Sequence, residues 1–94
     1  MYRELAAALP DRYRLGLARS LLNLGITLTD LGHPANALPV QQEAVTILRD
    51  LAAALPDRYR PELADFLSGL GDVLSALGRN GEAAAARREA EVYR

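Results

Sequence analysis

The decapeptide LAAALPDRYR occurs twice without a change, at Leu5–Arg14 and at Leu51–Arg60. Ten identical residues at an offset of 46 (Leu5 to Leu51) do not arise from helix propensity or composition, so the chain reads as a tandem repeat. Aligned at that offset, about half of the positions agree, and the matches concentrate on Leu, Ala and Gly. A period in the range of roughly 20–50 residues points to a solenoid, in which each unit buries its apolar face only against its neighbours.

Within each copy the apolar residues keep a helical rhythm. Leu17, Leu21, Leu24, Leu28 and Leu31 alternate spacings of four and three, and Leu63, Leu67, Leu70, Leu74 and Leu77 repeat the set. That is one stripe of an α-helix, here designated the A helix of each copy. The first A helix is expected from about Arg14 to Leu31. The second opens at Pro61, with Glu62 beside it at the positive end of the helix dipole. Gly32 and Gly78 follow as left-handed stops.

A second, B helix comes after each glycine. In the first copy it runs to about Ala54, with Ala37, Val40, Ala44, Val45, Leu48, Leu51 and Leu55 on its buried face. Either it begins at Pro34 and bends at Pro39, or Asn36 caps it and Pro39 lies in the first turn. In the second copy the B helix is Gly81–Tyr93, Ala-rich and charged. Pro10 and Pro56 end the helical runs before them, and PDRYR is expected to be a loop into the next A helix. The single domain then comprises the tail of a preceding B helix (2–9), one helix pair (14–55) and a second (61–94).

Gly25 and Gly71 stand in the middle of the A helices, where glycine costs about 1 kcal/mol relative to alanine. Ala37 and Ala44 in one copy, and Ala83 and Ala90 in the other, supply small residues on the facing helix. Close backbone approach in tight antiparallel hairpins is the expected return.

These residues carry a resemblance. Leu24-Gly25, Leu28, Gly32, Ala37 and Ala44, with Leu70-Gly71, Leu74, Gly78, Ala83 and Ala90, resemble the tetratricopeptide repeat. Leu21 and Leu67 stand where that family favours Trp, and Gln41 and Arg87 where it favours an aromatic. The prolonged B helix is similar to the extended repeats of the kinesin-light-chain type and of many bacterial multi-repeat proteins. The resemblance implies an all-α fold of tandem antiparallel hairpins stacked as a short right-handed α-solenoid. It also implies a non-enzymatic scaffold that receives a protein or peptide on its A-helix groove. Carried over by position, that groove holds Arg19, Leu22, Asn23, Ile26 and Asp30, then Asp65, Ser68, Asp72 and Ser75. Asn23 is where such repeats hydrogen-bond a peptide backbone, and Gly69 replaces it in the second copy. A cationic clamp for a terminal carboxylate needs several basic groove residues, and Arg19 alone qualifies, so no clamp is expected.

Other chemistry is sparse. His33 is the only histidine, set in a turn beside Pro34, and cysteine is absent, so neither a metal site nor a nucleophilic set can be assembled. No catalytic residue and no cofactor is expected. All eleven cations are arginine, they alternate with twelve acids, and the net charge is −1, which offers no footprint for nucleic acid or an anionic membrane. The apolar runs are too interrupted to span a bilayer, and a cytoplasmic protein is expected. Tyr13 and Tyr59 read as residues packed at the junction between hairpins rather than as a ligand-stacking pair.

Two repeats are fewer than the three or so that an independent array needs. The first residues match the end of a B helix and Arg94 matches Leu48, so head-to-tail stacking, or a swapped dimer, is the further expectation. A purely structural spacer or homo-oligomerisation module without an external ligand is the rival reading.

Overall fold

A computed structural model describes residues 11–94. Its elements are α1 (Asp11–Asp30), α2 (Pro34–Ala54), α3 (Pro56–Ala76) and α4 (Asn80–Tyr93). Each helix lies against the next, and α1 also touches α3. Among the described residues the fold is all helical, in adjacent pairs. The segment 2–9, read as a B-helix tail, lies outside them.

The turns inside each pair follow from one glycine. Gly32 (φ 85°) and Gly78 (φ 75°) hold the left-handed conformation that residues with a Cβ resist. Each makes the two bonds of a Schellman stop: His33 N donates to Leu28 O at 2.8 Å and Gly32 N to Thr29 O at 3.0 Å, matched by Arg79 N to Leu74 O and Gly78 N to Ser75 O. The chain reverses at once, and α2 starts with Pro34 in its first turn and Pro39 inside it. Asn36 is therefore helical and not the cap.

The expected PDRYR loop is not a loop. α3 begins at Pro56, and Leu55 alone separates it from α2. Proline at the first helical position gives up an N–H that has no partner within the helix, and Asp57 in the first turn suits the dipole. Pro61, expected to open the helix, lies inside it. Pro39 and Pro61 each stand five residues after a helix-opening proline, so the bonds they forfeit are to Ala35 and Asp57, both exposed and both near a helix start. In the first copy the helix likewise already includes Asp11, ahead of the expected Arg14.

The core lies along α2 and α3. Leu48, Leu51, Leu63 and Leu67 are fully buried there, joined by Ile47, Phe66 and Tyr59. A smaller cluster of Leu74, Ala83 and Ala86 closes the second pair. The two leucine stripes are not equally covered: Leu21 is buried, yet Leu24 and Leu31 are exposed, whereas Leu63, Leu67 and Leu74 are all buried. The cause is position. α3 has helices on both flanks, while α1 meets α2 and, lightly, α3. Phe66 and Val73 are buried where the first copy has exposed Ser20 and Thr27, so side-chain polarity follows the same asymmetry.

Candidate protein-interaction site

The nine groove positions divide into two sets. Arg19 and Leu22 sit at the seam between α1 and α3. The Arg19 guanidinium makes two 2.8 Å bonds to the Glu62 carboxylate, from Nε and from one Nη. That bond, and the charge behind it, raise the Arg19 pKa further above its ordinary value. Leu22 is half-buried, its side chain leaning over Gly69. Asn23, Ile26 and Asp30 point away from this seam and are exposed; Ile26 keeps 44% of its surface open, a large value for an aliphatic side chain.

On α3, three of the four groove positions meet α4 or Arg94 just after it. Arg87 donates to Asp72 at 3.1 Å, and Arg94 donates to Ser68 at 2.8 Å while lying 3.6 Å from Asp65. Ser75 is exposed with no such partner. Every groove carboxylate except Asp30 thus has an arginine beside it, and the one groove cation is matched by Glu62. The surface is close to neutral, with an apolar centre at Ile26.

Beneath it, the small-residue sets behave differently in the two copies. Gly25, Ala37 and Ala44 are buried, as are Gly71, Ala83 and Ala90. At Gly25 the near neighbour is a side chain: a Cβ there would stand 2.3 Å from Cγ of Gln41. At Gly71 it would stand 3.1 Å from Cγ of Arg87 and 3.4 Å from the carbonyl oxygen of Ala83, a true close approach of backbone. Gln41 is only 1% exposed, and its amide lies between Gly25 and Gly69, where a Cβ would be 3.1 Å from its Nε2. Neither polar atom of that amide has a protein partner. Reading by helical stripe missed Gln41 and Gly69. Their signal was paired: a polar residue in an aromatic position, and a glycine in the copy of Asn23.

The duplicated tyrosines also part company. Tyr59 is 2% exposed within α3, whereas Tyr13 is 51% exposed and lies under the guanidinium of Arg12. The junction role holds for Tyr59 only. His33 is an exposed turn residue before α2. Among the described residues no group of three or more His, Cys, Asp or Glu is placed to hold a metal ion. No described helix is long and apolar enough to cross a membrane.

Adjacent helix pairs closed by glycine stops, with small residues at their crossings, define an α-helical repeat protein. Residues 17–52, which run from α1 across the Gly32 turn into α2, match the family model described as Tetratricopeptide repeat. The matched stretch, less than half of the chain, is similar to a tetratricopeptide repeat. No match was found among curated proteins or among solved structures.

Proposed function

We propose that the chain is a protein-interaction scaffold whose A-helix face receives a peptide or protein segment. The observation that carries this reading is Ile26, an exposed aliphatic residue between exposed Asn23 and Asp30 on α1. The partner that suits it brings an apolar anchor and main-chain hydrogen-bonding groups. A partner held by its terminal carboxylate does not suit it, because Arg19 is already bound in both directions by Glu62. A non-enzymatic role in the cytoplasm belongs to the same proposal. Binding to an immobilised peptide library, compared between the native chain and the Asn23→Ala and Ile26→Asp variants, tests it. Loss of captured peptides in both variants is expected; unchanged capture discards the groove.

A second reading is homo-oligomerisation. Tyr13 and Leu24 on α1 and Leu31 just after it are exposed, while their copies Tyr59, Leu70 and Leu77 are buried or half-buried. A face that is covered in one copy and open in the other is what a stacking neighbour would cover.

A further inference from the structure

The seam between α1 and α3 covers one amide that no described residue satisfies. Gln41 reaches it from α2, and its side chain is closed to solvent with both Oε1 and Nε2 lacking a protein partner. A buried amide unpaired at both ends is costly to the free chain, and a group of that kind is completed by water or by a ligand. The amide lies under Gly69, where a Cβ would stand 3.1 Å from Nε2 and 3.3 Å from Cδ1 of Leu22. No side chain of α3 covers it at that point, and the half-buried Leu22 leans across the gap.

The gap opens onto the groove positions. Leu22 is one of them, and Ser68 and Asp72 lie within one turn of Gly69 on α3. Gly69 stands in the register of Asn23. Where α1 presents an amide of its own, α3 therefore has bare backbone with the Gln41 amide behind it. One turn back along the seam, the Arg19–Glu62 pair ties α1 to α3, two helices that otherwise meet only lightly.

The chemistry of the gap selects its occupant. Oε1 accepts and Nε2 donates, so the complement offers a donor and an acceptor side by side. A residue of an extended peptide does so, because its N–H and C=O leave the same edge of the strand. A carboxylate has no donor to offer, and a cation no acceptor.

We propose that Gln41 is a recognition residue of the groove. An extended peptide lying across Gly69 displaces the Leu22 side chain, and one of its residues donates its N–H to Gln41 Oε1 and accepts from Nε2. A change of Leu22 rotamer is enough to admit it, while the Arg19–Glu62 pair keeps the two helices at their spacing. This rests on the peptide-binding reading and gives it a main-chain contact at the junction of the two repeats.

The immobilised peptide library that tests the groove also tests this contact, with two further variants. Gln41→Met keeps the side-chain length and removes both polar atoms. Gly69→Ala keeps the amide and covers it with a methyl group. Capture of peptides held by the native chain is expected to weaken about tenfold in Gln41→Met, the worth of two neutral hydrogen bonds, and to weaken in Gly69→Ala as well. Main-chain N-methylation, scanned along one captured peptide, should find a position that weakens binding to the native chain about fivefold and leaves binding to Gln41→Met unchanged. Circular dichroism melting separates contact from scaffold, because the Gln41→Met midpoint should hold or rise while capture falls. A lower midpoint, capture by Gln41→Met equal to the native, or one methylation profile shared by both overturns the proposal. Peptides that Asn23→Ala and Ile26→Asp lose but Gln41→Met keeps would leave the groove standing and remove this contact. A native chain that captures no peptide overturns both.

Discussion

Gln41 lies so close to Gly25 that the helix α1 has room for a hydrogen there and for nothing larger, since a Cβ would stand 2.3 Å from Gln41 Cγ. The two residues are one structural device: the glycine admits the side chain, and the side chain fills the crossing. Its copy, Gly71 against Arg87, is a looser arrangement, because Arg87 is exposed and can move aside.

That difference sets opposite outcomes for the same substitution. Gly25→Ala forces a buried side chain off its place and is expected to destabilise the chain by about 1–3 kcal/mol, more than the helix-propensity gain returns. Gly71→Ala meets only a yielding arginine and the Ala83 carbonyl at 3.4 Å, so it should be neutral or add up to about 1 kcal/mol. Urea denaturation of the two variants side by side decides the matter; equal effects would mean that Gln41 is not the constraint.

Gln41 itself carries an amide with no protein partner for either polar atom, in surroundings closed to solvent. A buried amide left unpaired costs about 1–3 kcal/mol. Gln41→Met keeps the length and removes both polar atoms, and the melting midpoint is expected to rise by an amount in keeping with that cost. A lower midpoint would show that the amide is satisfied in solution.

Acid sensitivity should trace to the α2–α4 pair. Arg49 hydrogen-bonds the Glu89 carboxylate and holds its pKa below the ordinary glutamate value. The folded state then binds the proton less readily than the unfolded state, so the pair's contribution is present above the unfolded pKa and is lost as pH falls through the folded one. Both side chains are partly exposed, which keeps the effect small. Thermal stability measured from neutral pH down through the carboxylate range should fall less steeply in Glu89→Gln than in the native chain. Identical slopes would assign the acid limb to other carboxylates.

Much of the fold was legible as pattern. The leucine stripes, the glycine stops at 32 and 78 and a B helix after each stop depend on short-range geometry, which a helical period or a left-handed residue announces directly, whereas the choice between Pro34 and Asn36 as the start stayed open. PDRYR shows where pattern misleads: proline both ends one helix and opens the next, and with a single linking residue at Leu55 the two readings differ by a whole turn. The groove was legible only as positions, because Arg19 and Asp65 share one register position and neither reveals its partner until a neighbour is known. One pairs with the next A helix, and the other with the end of α4.

Duplication, helical periodicity and chain reversals were thus properties of the sequence, since each is settled within a few residues of itself. Burial was not. Tyr13 and Tyr59 lie in identical decapeptides, yet one is exposed and the other is closed into the core. The same division separates Arg14, covered by α2, from Arg60, left at an open cleft. Identical residues met different fates because what covers a side chain in a solenoid comes from the neighbouring helix, and the two copies do not have the same neighbours.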